Sequence, residues 1–525
     1  TDWYDVFLKD VSVSHEHNLS VSGGGDKITY YFSGNYLGQT GLFNYSDESF
    51  KRLAINGKVG VKFNDYVSFN WSSRLVSTDN EKPSVMNANF FHNIGRRHPT
   101  MPVTLPNGEY YSESMINNLQ DGGRQGDRNL LLYNQANLTV EPIKGWKIYV
   151  DLNSRIENKT GDQNFNKLAQ VMPDGHSEYY KVINGVHPRF ETNANGTFRI
   201  QPGPGEATYM RYKGHVNYFQ SNIYSDFEKT FNEKHYFKAL LGMQTEYYYN
   251  ETIRMATKDV LLEDVPFINP TSSSVLVAED KGEWANLGIF GRVNYTFDNR
   301  YMLEVNLRYD GASRFPNDQR WAFFPSVSAG WNVANEKFFT PIRDAIKLEY
   351  FKLRGSYGQL GNQNTTSFYP YYQQMAATLG TVVLGGVQGS VLPVFDPYSA
   401  SLTWETIENA GAGVDIGMFS NRLNASFDWY QRTTKDMIGP ALALAAVYGA
   451  DAPRTNNAEL RTRGWEVEVS WRDRIGSDWS YGISASLSDY KSVVTKYQSP
   501  TGALIGPSGT EAYYEGKEIG EIWGY

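Results

Sequence analysis

Not one of the 525 residues is cysteine. That excludes a disulfide framework and thiolate-held metals. No run of about 18 apolar residues occurs, so no helix is apolar enough to span a membrane. This says nothing about membrane strands, whose polar face hides the apolar one from any running average. Lys and Arg total 49 against 57 Asp and Glu, a net charge of −8 spread without a basic stripe, which argues against a nucleic-acid partner. No signal peptide opens the chain at Thr1, so for an exported protein the expectation is that processing, or more than that, precedes this point. No phosphate-cradling glycine loop, Gly-x-Ser-x-Gly elbow or metalloprotease helix motif is present.

What the chain has in quantity is aromatic side chains, 37 Tyr, 28 Phe and 12 Trp, together with 48 Gly. One stretch shows how they are used. In RYMLEVNLRYD (300–310), Tyr301, Leu303, Val305, Leu307 and Tyr309 share one face, and Met302, Glu304, Asn306, Arg308 and Asp310 the other. Period two with one apolar face is a strand. Aromatics stand at both ends of the apolar face with aliphatics between. The distance from Tyr301 to Tyr309 is roughly 26 Å at about 3.3 Å per residue. Tilted by about 40°, the strand covers somewhat less than the ~25 Å apolar band of an outer-membrane barrel, with a tyrosine near each interface.

The design repeats. Strands are expected at about 15–22 and 28–38, then in a hairpin turning at Asn64-Asp65. Others end near Val140, return from Trp146, and run over about 210–229 and 236–249. GIFGRVNYTF turns at Asp298-Asn299 into the strand above, and further strands follow at 323–331, 350–358, 410–418, 423–429, 465–471 and 479–487. The connection 334–345 is longer than the other tight turns and suggests a helical turn. That makes about sixteen strands, with short turns and long irregular stretches alternating almost without exception, as in barrels with short periplasmic turns and long outside loops. The irregular stretches include about 76–129, which carries DGGRQGD (121–127), and the run holding QPGPG (201–205). The expected fold is an all-β, transmembrane antiparallel β-barrel, here incomplete: GKEIGEIWGY at the end does not alternate, and a barrel cannot leave an open edge in lipid.

Several stretches resemble one family: HNLSVSGG (17–24), NYTFDNRYMLEVNLRYDGASRF (294–315), FFPSVSAGWNVANEKFF (323–339), KLRGSYGQLGN (352–362), LTWETIENAGAGVDIG (402–417) and GKEIGEIWGY (516–525). In order and spacing they are similar to the starch-utilisation SusC/RagA type of TonB-dependent outer-membrane transporter. The resemblance implies a barrel of about 22 strands with a plugged lumen. It implies energy from an inner-membrane TonB-ExbB-ExbD complex and a SusD-like lipoprotein lid, and suggests a dimer of transporter–lid pairs. Residues 1–525 then correspond to the barrel domain, without the plug, the TonB-contacting segment and the last strands. The function implied is active import of oligosaccharides or peptides. A passive porin and a soluble β-rich carbohydrate-binding protein are the alternatives.

Candidate sites are few. The lumen-wall candidates for substrate contact are Glu304, Asn306, Arg308 and Arg354, within a polar face that also carries Lys352 and Asp428. The plainer reading of these is a solvated wall. Tyrosines at 110–111, 179–180, 369–372 and 513–514 suit stacking on sugar rings or peptide side chains, or packing of the loops themselves. His15 and His17 share a strand face but lack a third ligand, and zinc wants three or four. DGGRQGD lacks the acidic spacing of a calcium loop. Glu405 with Glu408, and Glu466 with Glu468, sit on strands in positions that do not suit the paired carboxylates of glycoside hydrolysis. No cofactor, metal site or catalytic residue is assigned, and the chain reads as a transporter rather than an enzyme.

Overall fold

The computed structural model describes residues 1–111, 114–171, 177–179, 190–192, 198–200, 207–262, 266–268, 275–365, 367–372, 378–384, 387–391, 402–438, 447, 455–498, 503–505 and 512–521. Sixteen strands form one antiparallel sheet in chain order. They are β1 (Ser14–Gly24), β2 (Ile28–Thr40), β3 (Ser49–Lys62), β4 (Val67–Pro83), β5 (Arg124–Ile143), β6 (Trp146–Phe165), β7 (Thr208–Phe231) and β8 (His235–Lys258). The rest are β9 (Leu276–Phe297), β10 (Tyr301–Ala312), β11 (Trp321–Asn332), β12 (Leu348–Asn362), β13 (Glu405–Met418), β14 (Leu423–Ile438), β15 (Asn456–Ile475) and β16 (Trp479–Tyr497).

The short turns explain the register. Both central residues of the β9–β10 turn, Asp298 and Asn299, have positive φ (51° and 52°). That geometry matches the right-handed twist of the flanking strands, and Asn and Asp reach it at low cost. The β13–β14 turn uses Phe419, Ser420 and Asn421, each at φ 58°, and Gly145 and Gly476 serve β5–β6 and β15–β16. At β3–β4, the Asn64 side chain accepts from the backbone of Tyr66 and Val67, both at 2.8 Å.

Some strands run well past the expected segments, β8 to Lys258 and β6 to Phe165. β7 and β8 have 24 residues each and β5 and β6 have 20, about twice what a membrane crossing needs. In β7 the outward face turns polar too, with Arg211, Lys213, His215 and Asn217 in line with the exposed Phe219, while the backbone ladder continues. For the same reason Arg124–Asp127 of DGGRQGD lie in β5 rather than in a loop. The stretch between β4 and β5 holds two helices, α2 (Ala88–Arg96) and α3 (Ile116–Gln120). The β11–β12 connection holds α4 (Thr340–Ala345). QPGPG lies outside the described residues.

The chain forms two compact units. The first comprises Thr1–Thr139, Val150–Ser221 and Tyr247–Glu283. Its core is a loop-side cluster in which α1 (Trp3–Phe7) meets α2 and α3 through Phe7, Phe90 and Ile116, all fully buried. Asn87 caps α2 by accepting from Asn89 and Phe90, and the Arg97 guanidinium lies 5.0 Å from the Trp3 ring. The second unit comprises Val140–Tyr149, Asn222–Glu246 and Trp284–Tyr525. Its main core packs Phe315 and Phe324 against Trp404 and Leu402 where strands meet loops. In neither unit is the middle of the sheet a core. In the second unit Leu303, Leu307, Ile289, Val293 and Val327 lie between 40% and 46% exposed, a contiguous apolar face that a water-soluble protein would have to cover.

Candidate functional site

The face opposite that apolar band is polar, and β10 shows how it is built. Val305 pairs in register with Val293 and Val327 on the apolar side. One residue on, Asn306 faces Arg292 and Ser326. Asn306 Nδ2 donates to Glu304 Oε1 at 2.8 Å, Asn294 donates to the other Glu304 oxygen, and Arg292 Nε donates to Asn306 Oδ1. Glu304 and Asn306 thus belong to one network.

Arg308 stands apart from that network. It donates to Asp310 at 2.7 and 2.9 Å and to Gln244 at 2.8 Å. Its guanidinium lies 5.7 Å from the Phe290 ring. Phe290 neighbours Tyr224, which stacks on Tyr149 at 4.6 Å. Gly242 makes room for this: a Cβ there would lie 2.5 Å from Tyr224 and 2.6 Å from Phe290. This aromatic strip on the polar face was not among the sequence candidates. The available signal was a glycine inside a long strand beside rings on its neighbours.

Arg354 is placed on β12 and makes a fork. Its Nε and Nη2 reach Asp415 of β13 at 3.1 and 3.3 Å, and its Nη2 also reaches Asp428 of β14 at 2.6 Å. Two carboxylates from two successive strands share one planar cation, which suits the five fixed donors of Arg. All four wall candidates therefore lie on the polar face and all four are partnered within it. The first unit builds its polar face alike: Tyr212 donates to Asp127 at 2.8 Å, and Glu157 takes Lys159 at 3.0 Å and Asn129 at 2.9 Å.

The other sequence candidates have structural places. Glu405 is buried, accepting from Asn362 Nδ2 at 2.6 Å and from the Ile438 backbone N at 2.7 Å. Glu408 takes Lys435 at 2.8 Å and Gln359 at 3.1 Å. Glu466 and Glu468 face Asp428 and Ser426 in register. The His15 and His17 rings lie 5.3 Å apart with Tyr36 beside His15. No cluster of three metal-capable side chains occurs among the described residues. Of the loop tyrosines, Tyr110 packs edge-on to Tyr45 at 5.8 Å, and burial, then the neighbouring Tyr110, pushes the Tyr45 phenol up. Tyr371 and Tyr372 lie 4.7 Å apart, and Tyr371 donates to the Ser313 carbonyl at 3.1 Å. Tyr180 lies outside the described residues.

At the short-turn end of the second unit, the buried Glu336 accepts from Arg300 Nη1 at 3.0 Å and Trp331 Nε1 at 3.2 Å. Hydrogen bonds, from Tyr301 first, hold its carboxyl below the ordinary glutamate range against the opposing effect of burial.

A family model described as "TonB dependent receptor-like, beta-barrel" matches residues 2–520. A TonB-dependent receptor of Formosa agariphila, P3, is 27% identical over 100% of this chain and 50% of its own length. The TonB-dependent receptor SusC of Bacteroides thetaiotaomicron is 22% identical over 94% of this chain and 48% of its own length. Among solved structures, the RagAB peptide importer in its "open-open" state superposes with a TM-score of 0.77 at 18% identity, over 99% of this chain and 54% of that one. The chain thus spans about half the length of the relatives it matches. The exposed apolar face, the self-paired polar face and a family match over nearly every residue agree: this chain belongs to the TonB-dependent receptor-like β-barrel family of the outer membrane.

Proposed function

We propose that this chain is the barrel wall of an outer-membrane importer of oligosaccharides or peptides, energised by TonB and working with a SusD-like surface lipoprotein. The observation that carries the reading is the sheet's two-sidedness. One face exposes aliphatics between rings, as lipid requires. The other carries charges neutralised in place, as a wall between lipid and an aqueous path requires. The likeness to the RagAB peptide importer and to SusC supports import over passive flow. Residues 1–525 are the barrel domain of a larger protein, with plug and TonB-contacting segment in its other parts. Glu304, Asn306, Arg308 and Arg354 are wall positions facing the path.

The test is uptake by cells carrying the full-length gene, with and without the TonB-ExbB-ExbD complex. Uptake is expected to vanish without it, and uptake that persists unchanged would overturn active import. Offering oligosaccharides and peptides separately as the sole nutrient identifies the cargo class.

A further inference from the structure

The β11–β12 connection differs from the other short turns. Where Asp298-Asn299 reverses the chain at once, residues 333–347 form two short 3-10 turns and α4. The first part is a latch: Val333 and Ala334 are buried, and Asn335 Nδ2 donates to the Asn299 carbonyl at 3.1 Å. The second part has another character. Phe338, Ile342 and Ile346 recur every four residues and are 65%, 49% and 44% exposed. Phe338 lies in the second 3-10 turn, Ile342 in α4 and Ile346 at the α4 C-cap, so the exposed apolar side chains follow one another along the segment.

That ridge continues the sheet's outward face. The Phe338 ring is 6.5 Å from Trp331, and Phe339 stacks on Phe351 at 5.7 Å and 16°. Trp331 is in register with Tyr301 and Leu353 on the apolar side of the sheet. Just inward, Tyr301, Leu303, Trp331 and Leu353 frame a groove whose lining includes the small residues Ala329 and Gly355. The far end of the segment is tied to the β13–β14 turn: Phe419 N donates to the Lys347 carbonyl at 2.8 Å, and Ser420 N to Glu349 Oε1 at 2.6 Å. Lys337 and Lys347 flank the ridge. An apolar ridge continuous with a lipid face, bracketed by two lysines, fits the boundary between acyl chains and phosphate headgroups.

We propose that residues 338–346 are an interfacial foot lying in the periplasm-facing leaflet of the outer membrane, with Phe338, Ile342 and Ile346 among phospholipid acyl chains and Lys337 and Lys347 at the phosphates. The inference rests on the outer-membrane reading of the family. The foot fixes the depth of the sheet at the end where its short turns lie.

These 525 residues contain no cysteine, so single-cysteine nitroxide labels are introduced at 338, 342, 344 and 346 in the full-length protein, with any cysteine outside this stretch replaced by serine, and the protein is placed in vesicles of phosphatidylethanolamine and phosphatidylglycerol. Accessibility to oxygen is compared with accessibility to a water-soluble nickel chelate. Labels at 338, 342 and 346 are expected to favour oxygen several-fold more than the label at 344. Lys337→Glu with Lys347→Glu is expected to shift the label at 342 towards water. Leu307→Cys, on the mid-sheet apolar face, is the control. If it favours oxygen while 338, 342 and 346 favour nickel, the foot is wrong and the membrane reading stands. If it too favours nickel, the membrane reading falls and the foot with it.

Discussion

Placing one arginine on each face of β10 tests the assignment of the two faces. Val305 lies midway between Tyr301 and Tyr309 and is flanked in register by Val293 and Val327. Its neighbours Leu303 and Leu307 on the same face are 44% and 46% exposed. Each tyrosine is about 13 Å away along the strand, too far for an arginine at 305 to carry its charge fully back to either interface. Val305→Arg is therefore expected to carry the midplane penalty of about 2–4 kcal/mol, or roughly 30- to 800-fold in the folding equilibrium. Asn306→Arg sits one residue away on the opposite face. It loses the bonds to Glu304 and Arg292 and sets two guanidinium groups across from each other, but Glu304 is at hand to pair with the newcomer. Its cost is expected to stay within about 1 kcal/mol. The assay is urea titration of the full-length protein in phospholipid vesicles, read by strand content. Equal penalties at 305 and 306 would refute the assigned faces, whatever their size.

Arg354→Ala leaves Asp415 and Asp428 facing each other without their shared cation and is expected to cost about 1–2 kcal/mol. Adding Asp428→Asn should recover part of that, which a double-mutant cycle in vesicles measures. Gly123 has φ 101°, and a Cβ there would lie 2.2 Å from the Asn164 carbonyl oxygen. Gly123→Ala should therefore destabilise the first unit by about 2–3 kcal/mol, read as faster proteolysis, while Gly126→Ala, with nothing nearer than 3.7 Å, should be tolerated. Glu336 has a depressed carboxyl, so its stabilisation is present above the ordinary glutamate range and is lost as pH falls through its lower folded value. Glu336→Gln should accordingly be less stable than the parent at neutral pH, with the gap closing in acid; a gap that is constant with pH would deny the ionised carboxylate its role.

The strands were legible in the sequence wherever one face meets a medium unlike the other. Tyr301 to Tyr309 is such a case, and all sixteen expected strands lie in the sheet. Legibility stopped where that contrast stops. The strand start at Arg124 is polar on both sides, so nothing in the pattern separates it from loop, and β8 continues to Lys258, past the end expected near 249. α2 was missed for another reason. It is a helix whose apolar residues, Phe90 and Ile94, meet Phe7 and Phe43 from distant parts of the chain, so its signal is not a period of two.

The wall residues were legible as polar but not as paired. Arg354 alternates onto the polar face by count alone, yet its partners Asp415 and Asp428 lie 61 and 74 positions away, and only the register brings them together. The pairing changes what these residues can do. An unpaired arginine facing the path would hold an acidic cargo by a strong charge-assisted bond. One already forked between two carboxylates offers a weaker, shared contact. In the proposed importer that is a useful property, because a path works when cargo binds well enough to enter and loosely enough to leave. Selectivity is then better sought in loop rings that keep a face open to solution, and Tyr372, 63% exposed beside Tyr371, is such a ring.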